Sequence, residues 1–240
     1  MRILGFDTAT DATTVALWDS AAELELELRD DMAPGERPGH ATRLLPMVAA
    51  LLDRPGGGWA AVERIAVGIG PGTFTGLRIG VATARALARA REVPLVGISS
   101  LQALATGAVR EEGDGGPVVL AVIDARRGEA FAAAWRGEEA VLEPSALRPE
   151  ELALAVGRLA GAHGAPPLAI GDGALRFREQ LEVAGAAVPP SNSGLHRITA
   201  INHCRLAAGL PATSPAQVEP AYLRAPDAEI AYRERQRGPK

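Results

Sequence analysis

Hydrophobic and polar positions follow two rhythms along this chain. The opening Ile3-Leu-Gly-Phe-Asp-Thr is apolar and ends in an acid, and Thr14-Val-Ala-Leu-Trp resumes after a polar turn, which predicts a hairpin. Glu23-Leu-Glu-Leu-Glu-Leu has a period of two, with Leu24, Leu26 and Leu28 on one face and three glutamates on the other. That is the pattern of a strand near a sheet edge, where the charged face discourages edge-to-edge pairing. After a Pro/Gly loop at 34–39 the period changes. Leu44, Leu45, Val48, Leu51 and Leu52 recur at helical spacing over His40 to Asp53, with Pro46 placed in the early turns. Ile65-Ala-Val-Gly-Ile-Gly predicts a buried strand, Pro71-Gly-Thr-Phe-Thr-Gly a turn, and Thr75 to about Arg91 a helix. A strand at Val93 to Ile98 and a helix from Ser100 to about Val109 follow.

The run Glu111-Glu-Gly-Asp-Gly-Gly-Pro is the strongest linker signal, and beyond it the order restarts. Val118 to Asp124 is apolar and ends in an acid, Arg126-Arg-Gly turns the chain into Glu129 to Trp135, and a third short strand lies near Ala140-Val-Leu. A helix from Glu150 to Leu159, a strand from Pro167 to Ile170 and a helix from Leu175 to Val183 complete the half. Each half reads as βββαβα with an acid, Asp7 or Asp124, at the tip of its first strand, which predicts a structural duplication. The expected class is α/β, with an amino-terminal lobe over 1–110, a second lobe over 111–226 and a charged tail over 227–240. Two such lobes facing each other resemble the actin-like (ASKHA, ribonuclease H-like) architecture. In that architecture the paired tip acids orient metal and nucleotide phosphate, an implication that rests on analogy.

Composition narrows the function. The chain has 240 residues, 47% of them hydrophobic and 22% charged, with a formal net charge of −4, the balance of an ordinary globular protein without a basic field for RNA or anionic lipid. Aromatics make up 4%, too few for base-stacking platforms. Lys240 is the sole lysine, so a Walker phosphate loop and lysine-dependent catalysis are excluded. The single cysteine, Cys204, lies in the helical pattern from Thr199 to Ala208 and reads as a buried inert thiol. No apolar run reaches the ~18 residues of a membrane span and no leader pattern opens the chain, so a cytoplasmic location is expected.

The most specific motif is the glycine-rich strand-to-helix loop Gly-Pro-Gly-Thr-Phe-Thr-Gly at 70–76. In the helix behind it, Gly76, Gly80, Ala84 and Ala88 form a small-residue stripe, flanked by Leu77, Ile79, Val81 and Leu87. The apolar arc is wider than one sheet face covers, and small residues at four-residue spacing admit a close neighbour. The pattern therefore predicts a helix buried twice, against its own sheet and against a second chain. Leu44, Val48, Leu51, Leu52, Thr73, Phe74, Gly76, Leu77, Gly80, Val81, Ala84 and Ala88 form the expected interface.

The segment Val67 to Ala82 closely resembles the signature of the bacterial TsaB (YeaZ) family. The resemblance continues through Ile3 to Thr10, His40-Ala-Thr-Arg-Leu-Leu-Pro, Ile123 to Glu129, Gly171-Asp-Gly-Ala and Pro220-Ala-Tyr-Leu-Arg, in order over roughly 1–224. It implies an actin-like dimerization subunit of the machinery that makes tRNA threonylcarbamoyladenosine (t6A). Such a subunit is not itself catalytic. It pairs with the catalytic paralogue TsaD and works with the ATPase TsaE, and its pairing helices also form homodimers. The resemblance further implies that ATP and a divalent metal belong to the partner subunits and that tRNA is met mainly through the complex.

The residues agree with that reading. The paralogue's metal site needs two histidines four apart on one helix face, and here Leu44 follows His40 at that spacing. His163, His196 and His203 share no ligand-like spacing, so no metal site and no catalytic residue are assigned. Actin-like kinases follow the tip acid with glycine, whereas Thr8, Ala9 and Thr10 follow Asp7. Asp7, Thr8, Thr10 and Asp124 are therefore at most weak nucleotide or anion contacts. A hydrogen-bonded turn at Asp7 and an ion pair from Asp124 to Arg126 or Arg127 are the expected fates. An actin-like small-molecule kinase and an M22-like metallopeptidase are the alternative functions.

Overall fold

A computed structural model describes residues 1–33, 35–112 and 116–224. The centre of the expected linker and the expected tail at 227–240 lie outside these residues. Strands β1 (Arg2–Asp7), β2 (Thr13–Asp19) and β3 (Leu24–Asp30) form an antiparallel meander, followed by helix α1 (His40–Leu52). Strand β4 (Arg64–Gly70), helix α2 (Phe74–Arg91), strand β5 (Leu95–Ser99) and helix α3 (Ser100–Glu112) complete the first half. In the second, β6 (Val119–Asp124), β7 (Ala130–Arg136) and β8 (Glu139–Leu147) precede α4 (Pro149–His163) and β9 (Leu168–Ile170). Three helices close the described chain, α5 (Asp172–Arg176), α6 (Arg178–Val183) and α7 (Ala200–Gly209).

The sheet orders reveal the duplication. The first sheet runs β3-β2-β1-β4-β5 and the second β8-β7-β6-β9. In each, the meander is antiparallel and the strand after the first helix pairs in parallel with the first strand. The one asymmetry is β5, which pairs in parallel with β4 and has no counterpart in the second sheet. The first half is therefore βββαβαβα, one strand and helix longer than the expected repeat. The fold is the two-lobed actin-like one.

The division of the chain differs from expectation in one respect. Helix α7, from the second half of the sequence, lies on the first sheet, where Ala200, Cys204 and Ala207 share a buried cluster with Ile3, Ala16 and Ala66. The apolar stripe of α7 matches the open face of β1 and β2, so burial places it there whatever its position in the sequence. The segment beyond α7 stays with the first sheet. Thr213 pairs with Leu95 on β5, Arg85 bonds the carbonyls of Pro215 and Ala216, and the Ala221 amide donates to Ile69. Pro46 is the seventh residue of α1, within its second turn as expected, and lies on the exposed side.

Candidate functional site

In the actin-like architecture the first place to look for chemistry is the pair of strand tips facing each other across the lobes. At the amino-lobe tip, Asp7 is 1% exposed and Thr8 fully buried. Asp7 Oδ1 accepts the Ala9 amide at 2.6 Å, which is the expected turn. Its Oδ2 accepts the Ser100 hydroxyl at 2.6 Å and lies 2.9 Å from His203 Nε2. The other nitrogen of His203 lies 3.0 Å from the Thr199 carbonyl. Burial pushes the Asp7 pKa up, but His203, Ser100 and the Ala9 amide outweigh it, and the net effect holds the carboxyl below its ordinary value.

A metal or nucleotide phosphate does not fit this arrangement. Both carboxylate oxygens are engaged by protein donors, and the Thr8 hydroxyl donates to the Gly76 carbonyl at 2.7 Å. A Cβ at Gly68 would overlap the Asp7 carboxylate, so that glycine keeps the acid packed against β4. Thr10, by contrast, lines a small cavity of about 230 Å³ with Asp11 and Asp172.

The carboxy-lobe tip is engaged too. Asp124 Oδ1 accepts the Arg126 amide at 2.8 Å, and its Oδ2 lies 3.3 Å from the Arg126 guanidinium and 3.0 Å from that of Arg176. This is the expected ion pair with Arg126. Arg126 also reaches across the lobes to Asp11 Oδ2 at 2.5 Å. Its backbone and that of Arg127 take positive φ of 62° and 52°, completing with Gly128 a left-handed turn that aims Arg126 at the opposite lobe. The Asp11 hydrogen bond is the main influence holding the guanidinium charged.

His40 is buried at the start of α1, with Nδ1 2.8 Å from the Thr13 hydroxyl. Burial lowers its pKa although Asp7, Asp11 and Asp30 oppose the shift. It is a packing residue that ties α1 to β2. Among the described residues no group of three His, Cys, Asp or Glu side chains is placed to hold a metal, and no helix is long and apolar enough to cross a membrane. Cys204 is fully buried, and burial drives its thiol pKa far upward.

The expected interface residues require a correction. Leu44, Val48, Leu51, Leu52, Gly76, Leu77, Gly80, Val81, Ala84 and Ala88 are buried within the chain itself, and the side chains of Leu44, Val48, Leu51, Leu52, Val81, Ala84 and Ala88 share one core cluster with the first sheet. The reason lies in the glycines. A Cβ at Gly76 would strike the Thr8 carbonyl, and one at Gly80 the Thr8 hydroxyl, so the small stripe lets α2 lie directly on the β1 tip. Helical periodicity identifies such a stripe but not the neighbour it admits. Thr73 and Phe74 remain partly exposed. Phe74 stacks at 5.1 Å on Tyr222, and the Arg78 guanidinium lies 3.9 Å above its ring. The solvent side of the two helices is instead alanine-rich. It carries Ala41, Ala49 and Ala50 on α1 and Ala82, Ala86 and Ala90 on α2, with Leu45 52% exposed.

Comparison with known proteins places this geometry. The model of the family described as TsaD, tRNA N6-adenosine threonylcarbamoyltransferase, matches residues 37–229. The Escherichia coli tRNA threonylcarbamoyladenosine biosynthesis protein TsaB is 42% identical over 154 residues, 60% of this chain and 63% of that protein. For the Haemophilus influenzae protein of the same name the aligned share of the relative is 52%, so the matched part is less than two thirds of either relative's length. The solved structure of YeaZ from Pseudomonas aeruginosa superposes with a TM-score of 0.74 at 32% identity, covering 92% of this chain and 99% of that one. The polyphosphate/ATP-glucomannokinase from Arthrobacter, at 13% identity and a TM-score of 0.51, shares the fold alone.

Proposed function

Starting from a chain that belongs to the TsaB (YeaZ) family, we infer that it serves t6A synthesis as a non-catalytic subunit that binds and activates a TsaD-type catalytic partner. The observation that carries this reading is the state of the two strand tips. Asp7 and Asp124 occupy the positions where an actin-like enzyme would hold metal and phosphate, and here both are consumed by internal donors. With His40 bound to Thr13 and Leu44 standing four residues on, the chain's own residues support the fold at each place where chemistry would be sought. ATP and a divalent metal belong, on this reading, to the catalytic partner and the ATPase TsaE, and tRNA is met mainly through the complex.

The partner surface is the solvent side of α1 and α2. Alanines allow backbones to approach, and exposed Leu45 supplies an apolar anchor. The same face serves a homodimer when the partner is absent. The test is reconstitution of t6A formation from the chain's own TsaD and TsaE with tRNA, threonine, bicarbonate and ATP plus the enzyme that makes the adenylate, with and without this chain. Loss of activity on omission is expected, and full activity without it overturns the reading. Ala82→Glu places a charge on the exposed face of α2 without touching the core, and it should abolish association while leaving the unfolding midpoint unchanged. Tight binding of ATP and magnesium by the isolated chain would favour a kinase instead.

A further inference from the structure

A second cavity lies away from the strand tips, where α3 and α7 meet the β7–β8 hairpin. It encloses about 450 Å³, within the range of small-molecule sites. Its walls come from both halves of the fold. Helix α3 supplies Gln102 and Arg110, α7 supplies Arg205, and the hairpin supplies Trp135 and Glu138, over an apolar floor that includes Val109.

The polar groups around this cavity are mostly donors. Trp135 is 7% exposed, and its indole N–H, which makes no hydrogen bond among the described residues, is not one of the buried unpartnered atoms and so keeps some accessible surface. The Gln102 carboxamide likewise has no partner among the described residues, since only its backbone enters hydrogen bonds there. Arg110 is exposed at the end of α3 and makes no ion pair among the described residues. Arg205 is held in place at Asn202 and Glu25, which orients its guanidinium along the wall. Among the described side chains that line the cavity the one carboxylate is that of Glu138, exposed on the rim.

We propose that this cavity binds a small organic carboxylate with a flat apolar body. The Trp135 ring and the aliphatic floor take the body, and the Arg110 guanidinium, the Trp135 N–H and the Gln102 amide take the carboxylate. Nothing in the t6A reading requires this site, and its failure would leave that reading intact.

The chain has three tryptophans, so its indole N–H signals form a three-peak reporter in a proton–nitrogen correlation spectrum, assigned by Trp135→Phe. Titration with 4-phenylbutyrate should move the Trp135 peak saturably. Arg110→Gln should weaken binding by about tenfold, as should replacing the ligand by uncharged 4-phenylbutyramide. Two results would overturn the proposal: a Trp135 peak that does not move, or equal binding of the acid and the amide by the wild-type chain. Arg110→Gln that binds as tightly as wild type would overturn the role of the guanidinium. Because Arg110 is exposed, its variant keeps the fold, and an unchanged unfolding midpoint verifies this.

Discussion

Replacing Asp7 by alanine separates a structural acid from a catalytic one. The carboxylate is buried and accepts two hydrogen bonds, at 2.6 Å from Ala9 and 2.6 Å from Ser100, with His203 Nε2 2.9 Å away. Removing the carboxylate leaves the Ser100 hydroxyl and the Ala9 amide without their acceptor, and at about 1–3 kcal/mol for each buried unsatisfied group the loss should come to about 3–5 kcal/mol. His203 is fully buried, as is Ser100, so neither gains water in exchange. For a chain of this size each kcal/mol lowers the midpoint by about 2–4 °C, so Asp7→Ala should melt roughly 6–20 °C below wild type. Ser100→Ala removes one donor to the charge and should cost about 1.5–3 kcal/mol. In the double variant the two losses should combine less than additively, since Ser100 donates only to the group that Asp7→Ala deletes. Urea unfolding followed by far-ultraviolet circular dichroism measures each. An acid kept for chemistry behaves in the opposite way, because its removal commonly leaves stability unchanged or raises it. A loss below about 1 kcal/mol for Asp7→Ala would refute the structural assignment and return this strand tip to the candidates for catalysis.

Two glycines make a contrasting pair. Gly80→Ala overpacks the contact with Thr8 and should cost about 1–3 kcal/mol, whereas Gly157→Ala on α4, where an added Cβ meets open space, should gain about 0.5–1 kcal/mol. Denaturant midpoints would check both signs. Cys204 should resist a thiol reagent in the native protein and react stoichiometrically in guanidinium, as its burial and raised pKa require. Acid should destabilise the chain in two stages. His40 has a folded value below its unfolded one, so its contribution is present above about pH 6.5 and is lost as pH falls through the folded value. Asp7 is also lowered, so its contribution holds above about pH 3.9 and disappears at still lower pH. Urea midpoints across pH should show the upper stage vanish in His40→Asn.

The strands, the first helices and the duplication are legible in the sequence because each rests on a local period: two for Leu24 to Leu28, 3.6 for Leu44 to Leu52, and a repeated apolar run ending in an acid. The turn at Asp7 and the ion pair of Asp124 with Arg126 are legible for the same reason, since their partners lie two residues away. What the period could not supply is identity across distance. His203 shares no spacing with any other ligand-like residue, and its tie to Asp7 joins the two ends of the chain. The stripe from Gly76 to Ala88 shows that something comes close to α2, and only the three-dimensional path shows that it is Thr8. Asp11 carried no signal either, because its partner Arg126 belongs to the opposite lobe.

The seat of α7 against β1 and β2 bears on how the chain matures on the ribosome. The residues that cover Ile3, Ala16 and Ala66 begin at Ala200, about a hundred positions after β5 has been made. At about 5–20 residues per second, one face of the first sheet stays uncovered for roughly 5–20 seconds while the second half is translated. During that interval the nascent amino-terminal half is a substrate for chaperones, and a chain truncated before α7 would carry a permanently sticky sheet.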